Sequence, residues 1–179
     1  KSHVRTTMKS DFDIVYHLAA IVGVEKYCQD PLATIDVNYL GTKYVSESAI
    51  KYNTKILYLS SSEIYGKNNV DKLNECSDRV LGPTHIARWS YSTSKALSEH
   101  LLFALNQKYD LPFVILRLFN VYGPRQMPPL VVPSVINMIL TGKSPCIYGT
   151  GNQTRTLTYI TDVVESICSI DTNADCEND

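Results

Sequence analysis

Short apolar runs alternate with longer helix-like segments along most of the chain. Residues 12–19, 55–60 and 113–118 are apolar enough to form buried strands. Between them, residues 33–52 and 90–109 repeat apolar side chains at helical spacing. Parallel strands need a long crossover connection, and both helical segments are long enough to provide one. The order β-α-β-α-β therefore predicts an α/β fold built on a parallel sheet.

The rest of the chain predicts smaller elements. Residues 61–88 and 120–125 are expected to be loops, and residues 131–141 and 162–170 are expected to be helices. Residues 148–152 are expected to form a turn between two short strands.

Composition and charge exclude several classes of protein. With 179 residues, of which 44% are hydrophobic and 20% charged, the chain has the composition of one ordinary globular domain. The net charge of −1, from 17 basic and 18 acidic residues, lacks the basic excess of proteins that bind nucleic acid or anionic membranes. No apolar run approaches the roughly 20 residues needed to span a bilayer. No apolar core follows the charged N-terminus, so we expect no secretory signal.

Cysteine and histidine usage indicates neither disulfides nor a metal site. The chain has five cysteines, an odd number, and no two of them have Cys-x-x-Cys spacing. The four histidines do not cluster with cysteine at the spacings of zinc ligands. We therefore expect free thiols, no metal and a cytoplasmic location.

Two Tyr-x-x-x-Lys patterns are the first candidates for chemistry. Tyr91 and Lys95, like Tyr39 and Lys43, lie four residues apart and so on one face of a predicted helix. A nearby ammonium group lowers the pKa of a phenol and makes the phenol a usable base. Because the pattern occurs twice it is not specific, and a solvated helix face accounts for either match.

The segment from Ser60 to Glu63 distinguishes the two patterns. It follows the predicted strand 55–60, and in a parallel sheet ligands bind beyond the carboxyl ends of the strands. A hydroxyl there can hydrogen-bond a sugar hydroxyl, and a carboxylate there can move a proton. The helix with Tyr91 is the next element, so both can face one crevice, whereas Tyr39 has no comparable neighbour. A plain turn at the strand end explains the serines equally well.

A glycine-rich turn, with which dinucleotide-binding folds normally open, is missing from the sequence. The eight glycines are scattered, and only Gly149 and Gly151 have Gly-x-Gly spacing. They lie after a proline and before a predicted strand, where a hairpin turn is expected rather than a phosphate-binding loop. We therefore expect the chain to begin in the middle of a sheet.

Six motifs resemble one large family in their content and order. They are DIVYHLAA at 13–20, NYLGT at 38–42, SSSEIYG at 60–66, Tyr91-x-x-x-Lys95, RLFNVYGP at 117–124 and the segment 155–162. Together they resemble the extended short-chain dehydrogenase/reductase superfamily, in its branch of nucleotide-sugar epimerases, dehydratases and decarboxylases. The resemblance implies an incomplete Rossmann-type parallel sheet with the start of a small substrate-binding region. Residues 1–130 would be a partial NAD-binding domain, and residues 131–179 the start of a nucleotide-sugar-binding region.

The same resemblance implies the roles of the central residues. Tyr91 would be the catalytic base, and Lys95 would tune the phenol and hold the nicotinamide ribose. Ser61 would hydrogen-bond the 4-hydroxyl of the sugar, while Ser62 and Glu63 would lie beside C5 and C6. NAD would be the cofactor and a UDP-linked sugar the substrate.

Further residues are implied to bind cofactor and substrate. Phe119 would pack near the nicotinamide. The other residues implied to bind the cofactor are Leu18, Ala19, Ala20, Asn38 and Ser60. Asn120 and Arg155 would bind the diphosphate of the substrate, a task that suits a planar guanidinium. His17 is expected to be a buried histidine with a hydrogen-bonded ring rather than a catalytic group.

The implied reaction starts with oxidation at C4. Tyr91 would take the proton of the 4-hydroxyl while C4 gives a hydride to NAD, and reduction on the other face would complete a 4-epimerisation. UDP-glucuronate decarboxylation and 4,6-dehydration are alternatives. The first is implied because Glu63 after its serines, with Arg88-Trp89, also resembles the decarboxylases. Ser62 stands where dehydratases of the thymidine branch place an Asp acid. An inactive fragment is a further alternative, because the glycine-rich loop is missing.

Assembly as a homodimer is implied as well. In the family, helices matching 33–52 and 90–109 pair with their copies in a four-helix bundle. We expect the apolar stripe of the second helix to consist of Leu97, Leu101, Ala104 and Leu105. We expect the outer faces of the two helices to carry Tyr44, Ser48, Leu102 and Phe103, which suit a symmetric contact.

Overall fold

Three parallel strands form the sheet that the alternation predicts. The structure is a computed structural model that describes residues 11–147 and 149–171. The strands pair in the order β1-β2-β3, and they are β1 (Ile14–His17), β2 (Lys55–Ser61) and β3 (Phe113–Leu118). The predicted α/β fold with a parallel sheet is confirmed.

Helices connect the three strands where the sequence predicts them. In chain order they are α1 (Val24–Gln29), α2 (Pro31–Ile35), a π-helical turn (Asp36–Leu40), α3 (Gly41–Tyr52) and α4 (Trp89–Tyr109). α2 begins at a proline, and the carboxylate of Asp30 accepts a hydrogen bond from the amide of Ala33 at 2.9 Å. Asn53 and Asp110 adopt left-handed conformations that end α3 and α4. α1 was not predicted, because six residues are too few to show a helical period.

The core of this part of the fold lies where α3 and α4 pack on β2. Ile56, Leu57 and Tyr58 of β2 are at most 1% exposed, as expected for the central strand of a parallel sheet. One buried cluster contains Ala49, Ile56, Tyr58, Leu102, Leu111 and Phe113. Ile56 and Tyr58 point to the same face of β2, so α3 and α4 both cover that face.

The buried face of α4 differs from the predicted one. Leu97 is 43% exposed and Ala104 is exposed, so the predicted stripe packs only in part, through Leu105, which contacts the buried cluster. Most of the buried residues of α4 are small or polar. The complete set is Tyr91, Ser92, Ser94, Lys95, Ala96, Ser98, Glu99 and Leu102. The hydroxyl of Ser98 donates to the backbone carbonyl of Ser94 at 2.9 Å, which allows it to be buried without an unpaired polar group.

The expected outer faces of the helices are wrong at two positions. Ser48 is 4% exposed and Leu102 is fully buried, so both belong to the interior. Phe103 is 47% exposed and packs its ring edge-on against Phe113, while Tyr44 is half-buried. The period of the sequence located the helices but did not give their rotation about their own axes.

A second compact unit comprises the described residues from 119 to 171. Its elements are β4 (Asn120–Tyr122), α5 (Val131–Leu140), β5 (Leu157–Tyr159) and α6 (Ile160–Asp171). β4 lies inside the predicted loop 120–125, and it pairs in parallel with β5. The predicted hairpin at 148–152 is therefore wrong: residues 143–147 form no strand, and β5 pairs with β4 instead. Residue 148 lies outside the described residues, and the predicted functional boundary at 130 stays a prediction.

The long segment 61–88 contains more order than a loop. It opens with a 3₁₀ turn over Ser62–Tyr65, and Gly66 then pairs with Val80 in an isolated bridge. In the part of the chain that the structure describes, four cysteines are free, and no cluster of three His, Cys, Asp or Glu side chains could hold a metal. Among the same residues, no helix combines the length and apolarity needed to cross a membrane.

Replacing Gly66, at the end of the SSSEIYG motif, is expected to destabilise the protein. Its φ of 63° is left-handed, and a Cβ there would lie 2.3 Å from the carbonyl oxygen of Val80. Gly66→Ala should therefore lower the free energy of unfolding by about 1–3 kcal/mol, measured by urea denaturation of the intact protein. Gly41→Ala is the control, because Gly41 is helical with no atom within 4 Å of the added Cβ. It should raise stability by about 0.5–1 kcal/mol, and equal effects at both sites would contradict the assignment.

Candidate active site

The serine cluster lies at the carboxyl end of the central strand. β2 ends at Ser61, whose hydroxyl accepts a hydrogen bond from the amide of Glu63 at 3.2 Å. This contact starts the 3₁₀ turn that contains Ser62 and Glu63. All three side chains are partly exposed, so groups that can hydrogen-bond and carry charge are available where a parallel sheet binds ligands.

Tyr91 lies in the first turn of α4 and reaches this strand end. Its phenol is 7% exposed, and burial raises its pKa. The nearby hydroxyl of Ser61 opposes that rise, whereas the carboxylate of Glu63 adds to it. The structure thus brings Tyr91, Ser61 and Glu63 together, as the sequence predicted from their order alone.

Lys95 lies one turn after Tyr91 and is 3% exposed. Its ammonium donates to the backbone carbonyl of Leu59 at 2.7 Å and lies 4.6 Å from the centre of the Tyr58 ring. Burial lowers the pKa of Lys95 to about 8, and the carboxylate of Glu99 opposes that shift. In contrast, Lys43 of the second Tyr-x-x-x-Lys pattern is exposed, as expected for a solvated helix face.

Asn38 connects the segment after β1 to α4. The residue is 1% exposed, and its amide oxygen accepts a hydrogen bond from the amide of Ile21 at 2.8 Å. Its amide nitrogen donates to the hydroxyl of Ser94 at 3.3 Å. Asn38 therefore fixes the position of the segment that begins with Leu18, which is 55% exposed, and Ala19, which is exposed. The cofactor contacts predicted for these residues and for Ala20 stay predictions.

His17 is a buried, hydrogen-bonded histidine, as predicted. Its Nε2 lies 2.9 Å from the hydroxyl of Thr42, which itself donates to the carbonyl of Asn38 at 2.7 Å. Because that hydroxyl has donated its only proton, Nε2 carries the hydrogen and donates to Thr42. Burial, with a smaller contribution from Lys95, lowers the pKa of His17 to about 4, so the ring is neutral at pH 7.

A first group that the sequence did not reveal surrounds Glu99. Glu99 is 5% exposed, and the guanidinium of Arg117 binds it at 2.8 Å. The hydroxyl of Ser60 donates to the same carboxylate in a short hydrogen bond. A contact of Ser60 with a cofactor therefore cannot use its hydroxyl as donor without breaking this bond. The spacing of Tyr91, Lys95 and Glu99, four residues each, was the available signal.

A second group surrounds Arg88. Its guanidinium lies 2.7 Å from the carboxylate of Glu63 and donates to the phenol oxygen of Tyr27 at 2.7 Å. The ring of Tyr27 stacks on that of Tyr91, with 5.1 Å between centres and 12° between planes. Tyr27 thus links the ion pair to the candidate base. The position of Arg88 three residues before Tyr91 was visible in the sequence, but nothing there indicated Tyr27.

The remaining predicted residues belong to the second unit. Asn120 is exposed, and its amide nitrogen donates to the backbone carbonyl of Thr156 at 3.2 Å. The guanidinium of Arg155, also exposed, donates to the carbonyl of Thr154 at 2.6 Å. Phe119 is 39% exposed. Their predicted contacts with substrate and nicotinamide stay predictions.

The chain resembles known proteins along most of its length. The model of the NAD dependent epimerase/dehydratase family matches residues 1–177. Over 157 residues the chain is 40% identical to the UDP-N-acetyl-alpha-D-glucosaminuronate decarboxylase of Bacillus cytotoxicus, covering 86% of this chain and 48% of that protein. Over 168 residues it is 36% identical to the dTDP-D-glucose 4,6-dehydratase of Dictyostelium discoideum, covering 88% of this chain and 38% of that protein.

A solved structure shows the same arrangement of the backbone. The UDP-glucuronic acid 4-epimerase of Bacillus cereus, a mutant solved with UDP-4-deoxy-4-fluoro-glucuronic acid and NAD, superposes with a TM-score of 0.87 at 29% identity. The match covers 98% of this chain and 55% of that one. The chain spans about half the length of the relatives it matches, or less. These relatives are named for three different reactions.

Proposed function

The chain belongs to the NAD-dependent epimerase/dehydratase family, and we propose that the protein containing it oxidises a UDP-linked sugar at C4. One observation carries this proposal. The phenol of Tyr91 interacts with the hydroxyl of Ser61 at the carboxyl end of the central strand, and the ammonium of Lys95 lies buried one turn further along α4. A phenol, a hydroxyl and a cation so placed suit the removal of a proton from a sugar hydroxyl.

The described residues fit a dinucleotide at the end of β1. Leu18 and Val22 are 55% and 54% exposed, so an apolar surface lies open where a parallel sheet binds nucleotides. Leu18, Ala19 and Ala20 would hold NAD there, Asn38 would fix their segment from the interior, and Lys95 would bind the ribose. When bound, NAD supplies the hydride acceptor for C4 and a positively charged ring.

The chain's own residues move the proton. Ser61 orients the 4-hydroxyl, and the phenolate of Tyr91 takes its proton as C4 becomes a carbonyl. Burial raises the pKa of Tyr91, so the phenolate needs positive charge nearby. The ammonium of Lys95 provides such a charge, because its pKa of about 8 keeps it mostly protonated at pH 7.

We propose 4-epimerisation as the fate of the 4-keto sugar. It requires no acid or base beyond Tyr91, which returns the proton when the sugar is reduced on its other face. Dehydration at C5 and C6 is less well supported, because Ser62 replaces the acid that dehydratases of the thymidine branch have there.

Decarboxylation is a second candidate, which the ion pair of Arg88 and Glu63 favours. A guanidinium in this position can bind a C6 carboxylate of the substrate. With a carbonyl at C4, that carboxylate belongs to a β-keto acid. The C5–C6 bond then breaks, carbon dioxide leaves, the electron pair forms an enolate, and C5 takes a proton. The decarboxylase of Bacillus cytotoxicus acts on a substrate with such a carboxylate, by its name.

Product analysis of the intact protein separates the two candidates. The protein is incubated with NAD and with UDP-glucose, UDP-glucuronate or their N-acetyl relatives, and products are identified by NMR. A C4 epimer supports epimerisation, and a pentose with released carbon dioxide supports decarboxylation. Absence of any C4 oxidation with all four substrates would overturn the proposed function.

Arg88→Met separates the two kinds of substrate further. If Arg88 binds a C6 carboxylate, the variant should raise KM for uronates by about 10- to 100-fold, the value of one lost charged hydrogen bond. KM for substrates with a neutral C6 should change little. Arg79→Met is the control, because Arg79 is exposed and its side chain bonds the carbonyl of Ile64. Equal losses on both kinds of substrate would contradict the role.

We also propose a cytoplasmic homodimer. The helical segment from Pro31 to Tyr52 and α4 present exposed apolar side chains, with Val37 and Leu97 each 43% exposed and Phe103 47% exposed. Such faces suit a symmetric contact between copies. Light scattering of the intact protein should give twice the mass of one chain at micromolar concentration, and Leu97→Glu should lower it toward the monomer.

A further inference from the structure

α4 carries three buried ionisable side chains in one row. Tyr91, Lys95 and Glu99 follow each other at four-residue spacing and are 7%, 3% and 5% exposed. Burying a charge is costly unless the charge is paired. The groups that pair with Glu99 therefore matter for the charge that Lys95 has as its neighbour on α4.

Glu99 is held by two side chains from different strands. Nε of Arg117 on β3 lies 3.2 Å from each carboxylate oxygen, and Nη2 lies 2.8 Å from Oε2. Ser60 of β2 donates its hydroxyl to Oε1. Charge-assisted bonds in this bidentate arrangement fix a carboxylate in place.

The guanidinium of Arg117 is itself anchored. Its Nη1 donates to the phenol oxygen of Tyr65 at 3.0 Å and to the backbone carbonyl of Glu75 at 2.7 Å. These contacts use the side of the guanidinium that faces away from Glu99. Arg117 is therefore fixed in position, and it holds the carboxylate of Glu99 in the interior of the fold.

The groups facing Lys95 come from every element packed against it. β1 contributes His17, which is neutral at pH 7, and β2 contributes the Tyr58 ring and the Leu59 carbonyl. On α4 itself lie Tyr91 and the carboxylate of Glu99, and behind Glu99 lies the cation of Arg117 on β3. Among these groups, Glu99 is the carboxylate. It lies one helical turn from Lys95, and it binds Ser60 while Lys95 binds the adjacent Leu59 of β2, so its charge opposes the fall in the pKa of Lys95.

We propose that Glu99 is a positioning residue that keeps Lys95 charged and in place beside Tyr91, while Ser60 and Arg117 hold Glu99. This rests on the proposed function, in which the ammonium of Lys95 supports the phenolate. Glu99 touches neither substrate nor cofactor in this role. It acts through Lys95 alone.

The sign of the effect follows from the charges. Glu99→Gln removes the anion and leaves Lys95 and Arg117 as neighbouring cations, so the pKa of Lys95 falls below about 8. Activity needs the protonated ammonium, so the decline of kcat/KM at alkaline pH should move to lower pH. A shift of about one pH unit or more is expected, because a neighbouring opposite charge changes a pKa by that much.

The test compares pH profiles of kcat/KM for the intact protein with NAD and its nucleotide sugar. Glu99→Gln should move the alkaline decline down, and Glu99→Asp should place it between Glu99→Gln and the unsubstituted protein. The control is Glu25→Gln, because Glu25 is exposed and bonds Gln29 on its own helix; its profile should not move. A Glu99→Gln profile lowered equally at all pH values would overturn the proposal, since that is a purely structural effect.

Two further measurements keep the outcome decisive. If Glu99→Gln does not fold, Glu99→Asp carries the test, and an unmoved alkaline decline in that variant overturns the proposal.

If the unsubstituted protein turns over no nucleotide sugar, the proposed function fails on its own. The Lys95 ammonium is then titrated by ¹⁵N NMR, with its signal identified by its loss in Lys95→Met. A lower titration midpoint in Glu99→Gln supports the proposal, and an equal one overturns it.

Discussion

Tyr91→Phe is expected to lower kcat of the intact protein by about 10²- to 10⁴-fold, the usual contribution of a positioned acid/base group. The substitution keeps the ring, and therefore the stack of Tyr91 on Tyr27 at 5.1 Å. It removes only the phenol hydroxyl, which lies near the hydroxyl of Ser61. Folding and NAD affinity should change little. Steady-state kinetics, a thermal melt and an NAD titration measure the three quantities.

The second Tyr-x-x-x-Lys pattern provides a control within the same chain. Tyr39 lies in the π-helical turn, and its lysine partner Lys43 is exposed. Tyr39→Phe should cost less than about threefold in kcat. If Tyr39→Phe abolished turnover and Tyr91→Phe kept it, the catalytic pair would be misassigned. If neither substitution mattered, the protein would not use this chemistry.

The sheet and its long helices could be predicted because their signals are local. β2 is buried on both faces, and such a strand needs an unbroken apolar run, which the segment from Ile56 to Leu59 provides. Asn53 and Asp110 end α3 and α4 in the left-handed conformation. Asn and Asp are among the few residues other than glycine that adopt this conformation easily, so such ends have a local signal. The three-residue strands β4 and β5 could not be found in this way, since so few residues show no alternation.

The rotation of α4 was missed because its packed face consists mostly of small and polar side chains. Ser94 and Ser98 lie inside, where hydrophobic periodicity places leucines, and Leu97 is 43% exposed instead. Small hydroxyl side chains let α4 lie close to Asn38 in the π-helical turn, and they hydrogen-bond it. A helix whose buried face is polar does not show the hydrophobic period from which that face is normally predicted.

The residues around the candidate base were predictable only where they lie in one motif. Ser61, Glu63 and Tyr91 were grouped by their position after one strand and on the next helix. Glu99 and Arg117 meet across 18 residues of chain, and Arg88 and Tyr27 across 61, so their pairing depends on the tertiary fold. Side-chain networks of this kind have no spacing rule in the sequence.

Lys95→Met is expected to lower kcat by about 100-fold or more and to weaken NAD binding by about tenfold or more. Methionine fills a similar volume, so the variant removes chiefly the ammonium that donates to Leu59. Burial raises the pKa of Tyr91. Loss of a neighbouring cation should raise it further, so the phenolate should become scarcer at neutral pH. If Lys95 binds the cofactor ribose, loss of the ammonium also removes a charged donor to it, which separates this variant from Tyr91→Phe.

Lys43→Met is the matched control for Lys95→Met, because Lys43 has the same spacing from a tyrosine but is exposed. It should leave both kcat and NAD affinity within about twofold of the unsubstituted protein. Raising the pH should restore part of the activity of Lys95→Met, because more of Tyr91 then ionises without help from a neighbouring cation. A Lys95→Met variant that bound NAD normally and lost only stability would show that the ammonium holds β2 and α4 together and has no part in the reaction.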